Sequence, residues 1–166
     1  MNQADKIDQY QKAAALLRVT LAVIILVTWY DNLTKGLYSA EGLTGFFNWL
    51  FDAQNGNGSS LGFYKSILDT MIVPLAGPFA VFQMIAELLM GLALLFGGLT
   101  RFFGLAAMFF FLNLLLAYFG GHEWIWVYVL LVMSALTVAI SQAGRRWGID
   151  KWLVDTRGEP PLPILW

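Results

Sequence analysis

The sequence predicts an all-α integral membrane protein, a four-helix transmembrane bundle with two short amphipathic interfacial helices in its first outer connection. Of its 166 residues, 58% are hydrophobic and 13% are charged, and the charged share is about half that of a soluble domain. The apolar residues also gather into four stretches that are nearly or fully long enough to cross ~30 Å of hydrocarbon. We expect one domain over residues 1–157 and an extended C-terminal tail over 158–166.

The four spans are predicted at about residues 13–33, 77–99, 102–120 and 123–144. The apolar part of the first contains Arg18 as its only charged residue, and the third contains Asn113 as its polar side chain. The short connections between the second, third and fourth spans predict that these three pack as antiparallel neighbours. Small residues at regular spacing, notably Ala135, Ala139 and Ala143, indicate a close helix–helix contact on the fourth span.

The connection between the first two spans is long and contains two apolar-rich pieces, at about residues 42–53 and 61–73. Neither is long enough to span a bilayer, so we expect both to be helices that lie in the outer interface and cap the bundle. Pro74 and Pro78 are expected to break the chain before the second span.

The positions of the basic residues predict the orientation of the bundle. Of ten Lys and Arg residues, all except Lys35 and Lys65 fall on the side that also holds both termini. Basic residues are enriched in cytoplasmic segments, so we expect a multi-pass protein of the inner (cytoplasmic) membrane with both termini in the cytoplasm.

Counting residues from the span ends places Glu87, Asn113 and Ser134 near the middle of the bilayer. Gln83 lies one helical turn before Glu87 and projects from the same face. We therefore expect these four side chains to form a polar cluster in the bundle interior.

Glu87 is the candidate catalytic residue, because a charged carboxylate at the midplane costs roughly 2.5 kcal/mol or more. It must be protonated, hydrogen-bonded or paired, and Arg18 is the candidate cation, although it needs a long reach or a water molecule. One interpretation is a proton acceptor or quinone-headgroup ligand. The other is a hydrogen-bonded Glu that fixes helix register.

The composition excludes several function classes. A net charge of −1 excludes a charge-driven nucleic-acid binder. The absence of cysteine excludes thiolate chemistry, disulfides and iron–sulfur clusters built from this chain alone. We predict no metal site. The single histidine, His122, lies in an outer turn and is either a solvated residue or an axial ligand for a haem or pigment held by a partner.

Several segments resemble the DoxX-like family of membrane proteins. Glu87–Arg101 is similar to the second-span signature of that family, and the end of Trp124–Leu153 resembles the closing segment of the DoxD branch, the small subunit of thiosulfate:quinone oxidoreductase. Arg18 and Lys35 match basic positions early in the family's first span and at its end. The resemblance implies a four-helix bundle and a place in quinone-linked or sulfur-linked redox complexes, with a second subunit in the DoxD-type enzyme.

Three functions remain open at this point. The favoured one is an accessory or anchoring subunit of a respiratory or photosynthetic electron-transfer complex, with the lipid bilayer and other membrane subunits as partners. The alternative is a catalytic subunit of a thiosulfate:quinone oxidoreductase, in which Arg18 and Lys35 steer the anion and Glu87 accepts a proton. A small-solute transporter is the weaker alternative. We expect no cofactor held by this chain alone, and quinone, lipid or a partner-bound pigment or haem at its surface.

Overall fold

The computed structural model describes residues 3–160 and 162 and shows a helical protein, with no strand among these residues. The α-helices, in chain order, are α1 (Gln3–Thr34), α2 (Ala40–Phe51), α3 (Gly62–Ile67), α4 (Ala76–Phe96), α5 (Thr100–Ala117), α6 (Trp126–Ile140) and α7 (Ile149–Arg157). Of the expected tail over 158–166, residues 161 and 163–166 lie outside the described residues, and the remainder is not helical.

The expectation of an all-helical protein with apolar, membrane-length helices is confirmed. Within the described residues, three helical stretches are long and apolar enough to cross a membrane: Asp5–Thr34, Gly62–Phe96 and Thr100–Ala117. The fourth apolar helix, α6, is shorter, with 15 residues. It ends at Ile140 because the chain turns at Gln142, which has a positive φ of 51°. The predicted fourth span is therefore partly turn rather than helix.

The segment before α4 differs from the expected break at two prolines. From Gly62 to Phe96 the chain stays helical, passing through a π-helical turn at Leu68–Ile72 and a 3₁₀ turn at Val73–Leu75. Pro74 lies at the start of that 3₁₀ turn and Pro78 in the first turn of α4. Neither position needs an amide hydrogen for an intrahelical bond, so both prolines are accommodated. The second predicted interfacial helix thus leads directly into α4.

The core lies where α1, α4, α5 and α6 meet. The pairs α1–α4 and α5–α6 pack most extensively. The small-residue face predicted on the fourth span is buried, with Ala135, Ala139 and Ala143 at most 3% exposed. Gly104 of α5 faces Ala139 so closely that an added Cβ would lie 3.0 Å from its Cα. Small side chains therefore allow the α5 and α6 backbones to approach.

Different segments close the two ends of the bundle. At the end that we call the α7 end, the Asp150 carboxylate accepts hydrogen bonds from the backbone N–H groups of Leu99 and Thr100, at 2.6 and 2.9 Å. These are unsatisfied donors at the start of α5, and a carboxylate is a suitable cap for them. At the opposite end, the α2 end, the buried Asn57 carbonyl accepts the backbone N–H of His122 at 2.9 Å. This bond joins the α2–α3 loop to the α5–α6 loop.

Candidate functional site

Glu87 is a buried carboxyl group on α4 and is 2% exposed. The Gln83 side chain, one turn earlier on the same face, donates its amide Nε2–H to Glu87 Oε1 at 2.8 Å. The Tyr38 hydroxyl donates to Glu87 Oε2 at 2.7 Å. Both carboxyl oxygens thus accept a hydrogen bond inside the protein, which offsets much of the cost of removing this group from water.

Tyr38 comes from the short connection between α1 and α2. Gly36 adopts φ +72° in this connection, and the Ser39 hydroxyl donates to the Gly36 carbonyl at 2.8 Å. Ser39 also accepts the Gly42 N–H at 3.0 Å and so caps α2. Burial, followed by the hydrogen bond to Glu87 and the charge of that carboxylate, raises the pKa of the Tyr38 phenol above its usual range. Tyr38 therefore remains a hydrogen-bond donor at physiological pH.

Glu87 and Gln83 line a cavity of about 640 Å³, which we call the Glu87 cavity. A volume of this size is typical of small-molecule sites. Residues from five helices form the walls of the cavity, and most of these residues are apolar or aromatic. The aromatic lining residues are Phe46, Trp49, Phe110, Phe111, Tyr118 and Tyr128. The rings of Tyr118 and Tyr128 stack with a centroid separation of 4.9 Å and an interplanar angle of 16°. The cavity therefore combines aromatic walls with polar groups at Gln83 and Glu87 and at its rim.

Asp31, Asn32 and Lys35 form the polar rim of the cavity at the α2 end. Lys35 Nζ pairs with Asp31 Oδ2 at 2.5 Å, and their side chains are 68% and 52% exposed. Because exposed Lys35 and buried Glu87 line one cavity, the cavity connects the protein surface with the buried carboxyl. Its charged lining consists of one cation and two carboxyl groups.

The structure separates Arg18 from Glu87, so the expected ion pair between them does not form. Arg18 is 1% exposed and lies at the α7 end, where its Nη2 donates to the Trp147 carbonyl at 3.3 Å. Its Nη1 is in contact with Gly97, ten residues along α4 from Glu87. That separation amounts to ~15 Å along a helix. The long reach that an ion pair between Arg18 and Glu87 would require does not occur.

Two of the four expected polar interior residues come together. Gln83 bonds to Glu87, but among the described residues neither Asn113 nor Ser134 does so. Asn113 Oδ1 instead accepts the hydroxyl of Tyr64 at 2.7 Å, in a second apolar cluster beneath α2 and α3. Ser134 is half-buried on α6. The depth of a residue in the membrane does not determine which neighbouring helix its side chain faces. Counting residues from the span ends therefore could not predict that Asn113 and Ser134 do not bond to Glu87.

His122 is exposed in the α5–α6 loop at the α2 end. Its ring lies beside Gly58 of the α2–α3 loop. Within the described residues, no group of three or more His, Asp or Glu side chains is arranged to hold a metal ion. His122 therefore remains a single imidazole on a loop surface.

A model of the DoxX family matches residues 13–123 of the chain. The match runs from α1 to the α5–α6 loop and includes Lys35, Tyr38, Gln83 and Glu87. It ends before Trp124–Leu153, the segment that resembles the DoxD branch. Comparison with curated proteins and with solved structures gave no match.

Proposed function

The chain belongs to the DoxX family, and on that premise we propose that it is an accessory or anchoring membrane subunit of a quinone-linked electron-transfer complex. The Glu87 cavity holds the quinone headgroup. The observation that carries the proposal is the buried, doubly hydrogen-bonded Glu87 carboxyl that lines an aromatic cavity of about 640 Å³.

The chemistry of the cavity suits a neutral aromatic-like ring with polar oxygens. Six aromatic side chains line the cavity, and a planar ring packs well against aromatic groups. Inside the cavity, the Gln83 amide or a protonated Glu87 would donate a hydrogen bond to a carbonyl oxygen and so orient it. A dianion would meet two carboxyl groups, Asp31 and Glu87, against the single cation Lys35. The charge balance therefore favours a neutral ligand.

When bound, a quinone would supply a two-electron, two-proton acceptor. Glu87 would hold or pass on a proton at its carboxyl, while the Tyr38 hydroxyl and the Gln83 amide fix the orientation of that carboxyl. Aromatic side chains exclude water from the ring face. The sequence has no cysteine and one histidine, so the electrons would come from a redox group on a partner subunit.

A cavity-filling variant tests ligand binding. Leu131 lines the cavity, whereas the adjacent Leu130 does not and is 63% exposed. Leu131→Trp should abolish binding of a short-chain ubiquinone to the protein in nanodiscs, measured by equilibrium dialysis. Leu130→Trp, the matched control, should bind as the unmodified chain does. Equal binding by both variants would place the quinone elsewhere and reject the cavity.

Purification of the tagged chain in mild detergent tests the accessory role. We expect a co-purifying subunit that carries a haem, pigment, flavin or iron–sulfur absorbance. In the resulting complex, Glu87→Gln should lower quinone reduction at least tenfold while the subunits still co-purify, because Gln has a similar shape but cannot take up the proton. A monodisperse chain without such a partner contradicts the accessory role.

The second candidate is a catalytic subunit of a thiosulfate:quinone oxidoreductase, the DoxD activity. The supporting observation is Lys35 at the cavity rim, where an anion would have to replace its exposed partner Asp31. Arg18 cannot share that task at this cavity, because it lies at the α7 end. Two thiosulfate anions would join as they release two electrons, and the quinone would take up those electrons with two protons.

Membranes containing the protein and its partners test this candidate. Thiosulfate should support quinone reduction, and Lys35→Gln should raise the KM for thiosulfate severalfold with little change in kcat. Lys65→Gln is the control, since Lys65 forms a similar exposed pair with Asp69 outside the cavity. No thiosulfate-dependent reduction would remove this candidate and leave the accessory role intact.

We also assign the protein to the cytoplasmic membrane, with the α7 end facing the cytoplasm. The distribution of Lys and Arg supports this assignment. Because the chain contains no cysteine, single cysteines at Gln54 and Gln142 would report the topology directly. A membrane-impermeant maleimide added to intact cells should label the first and not the second. The reverse pattern would invert the orientation.

A further inference from the structure

A second concave surface lies at the α7 end of the bundle, far from the Glu87 cavity. This groove has a volume of about 560 Å³ and runs between the last residue of α4 and the exposed face of α7. It is lined by Phe96, Arg146, Trp147, Gly148, Ile149, Lys151, Trp152 and Asp155. We call it the α7 groove.

The lining of the α7 groove contains three aromatic residues, two cations and one carboxylate, Asp155. Phe96, Trp147 and Trp152 are 58%, 59% and 58% exposed. Arg146 and Lys151 contribute the positive charges. Phe96 ends the apolar helix α4, so the groove lies where a spanning helix leaves the hydrocarbon. Tryptophan and basic side chains are both favoured at that boundary.

The backbone of Trp147 is fixed by a contact with the buried interior, while its indole is exposed. Trp147 has φ +54°, in the left-handed region that a bulky side chain rarely adopts. Its carbonyl accepts a hydrogen bond from Arg18, which is 1% exposed. The preceding Arg146 has a buried Nε that has no hydrogen-bond partner among the described residues. The Arg146 guanidinium lies 5.6 Å from the centre of the Trp147 ring, so a cation and an aromatic face adjoin in this part of the groove.

The charges in the groove are paired, but only with exposed carboxylates. Arg146 Nη2 contacts Asp8 Oδ1 at 2.9 Å, and Lys151 Nζ contacts Asp155 Oδ2 at 2.7 Å. Exposed pairs of this kind contribute little stability. Asp8 is also shared with Lys12, at 2.6 Å. An incoming phosphate can therefore approach both cations without breaking a buried ion pair.

We propose that the α7 groove binds an acidic phospholipid. The headgroup phosphate lies between Arg146 and Lys151, and an acyl chain lies along Phe96, Trp147 and Trp152. The combination of cations with three exposed aromatic rings at the end of a spanning helix supports a lipid over a free anion, because a free anion would leave the aromatic surface in water.

Native mass spectrometry of the detergent-solubilised protein tests the proposal. Phosphatidylglycerol should remain bound at lower added concentrations than phosphatidylcholine of the same chain length. The double variant Arg146→Gln/Lys151→Gln should weaken phosphatidylglycerol binding about tenfold. The control Lys35→Gln/Lys65→Gln removes the same charge at the α2 end and should leave it unchanged. Asp8→Asn should strengthen binding, because it frees Arg146 from a competing carboxylate.

Three outcomes would overturn the proposal: equal retention of the two lipids, equal losses in the two double variants, or no effect of Asp8→Asn. Competition with inorganic phosphate distinguishes a lipid site from a site for a free anion. If millimolar phosphate displaced the lipid from the unmodified protein and Trp147→Ala bound phosphatidylglycerol normally, the groove would be a free-anion site. We expect phosphate to compete weakly and Trp147→Ala to lose affinity.

Discussion

The guanidinium of Arg18 and the backbone carbonyl of Trp147 form a hydrogen bond of 3.3 Å between residues 129 positions apart in the chain. The bond joins the first apolar helix to the segment that follows the last one. Burial disfavours the positive charge of Arg18, and the nearby Asp150 carboxylate offsets part of that cost. The Arg18 Nε and Nη1 have no hydrogen-bond partner among the described residues. Arg18 is therefore an internal connector at the α7 end.

Replacing Arg18 by alanine should destabilise the protein by roughly 3 kcal/mol. The change removes a buried cation near Asp150 and leaves a void among close-packed residues. Thermal unfolding in detergent should show a clear fall in Tm. Arg157→Ala, at the exposed end of α7, is the control and should change little. Equal melting of the two variants would show that Arg18 does not connect these segments.

The raised pKa of Tyr38 predicts a specific loss of stability at alkaline pH. The phenol titrates at its ordinary value of 10.0 in the unfolded chain and at a higher pH in the folded protein. The stabilising contribution is thus complete below pH 10 and declines as pH rises above it. Tyr38→Phe should be less stable than the unmodified protein at pH 8 but should lose less stability between pH 9 and pH 11.

Denaturant unfolding across this pH range measures the effect. Tyr10→Phe is the matched control, because Tyr10 is 74% exposed. It should follow the unmodified protein at every pH. Parallel pH profiles for Tyr38→Phe and the unmodified protein would contradict a raised pKa of the buried Tyr38 phenol.

The contact between Gly104 and Ala139 predicts the effect of a larger side chain at the α5–α6 interface. Gly104→Leu should destabilise the bundle by about 1–3 kcal/mol, because the added atoms meet the backbone of Ala139. Gly45→Ala, on α2, meets no atom within 4 Å and should stabilise by about 0.5–1 kcal/mol. Both effects are measurable by thermal unfolding. If Gly104→Leu left the stability unchanged, the close approach of α5 and α6 would be ruled out.

Asn57 predicts coupling between the two loops at the α2 end. It is 2% exposed, and its Oδ1 accepts the Glu123 N–H at 3.2 Å while its Nδ2 donates to Ser59 Oγ at 2.9 Å. Asn57→Ala should cost about 1–3 kcal/mol, since it leaves these groups without partners. It should also speed limited proteolysis in both loops. The control Asn55→Ala, at an exposed position, should change neither stability nor proteolysis. If the α5–α6 loop of Asn57→Ala were cleaved no faster than that of the unmodified protein, the coupling would be contradicted.

The sequence predicted those parts of the fold that follow from the length and spacing of its apolar residues. The apolar stretches and the Ala135–Ala143 face follow from composition and spacing, because lipid requires both regardless of tertiary detail. The course of the chain near Pro74 was not predictable in the same way. Whether a proline ends a helix depends on the turn that precedes it, and here a π-helical turn brings Pro74 to a position that needs no amide hydrogen.

The candidate site was likewise predictable from the sequence only in part. Glu87 and Gln83 were predictable because a helix of known period carries both on one face. Tyr38 was missed, since it lies in a connection whose path depends on contacts with α4 rather than on local pattern. The signal available was the Tyr itself near a Gly and a capping Ser, Gly36 and Ser39. Such a pattern identifies a turn, but it does not identify the buried group that the turn faces.

The cap that Asp150 places on α5 has a consequence for biogenesis. Helices α1, α4, α5 and α6 all precede Asp150 in the chain, so they are synthesised before the residue that satisfies the first amides of α5. Until then, Leu99 and Thr100 carry unsatisfied donors, and the Trp147 carbonyl has not yet docked on Arg18. A chain truncated before Trp147 would lack both the Asp150 carboxylate and the Trp147 carbonyl, so its α7 end would stay open.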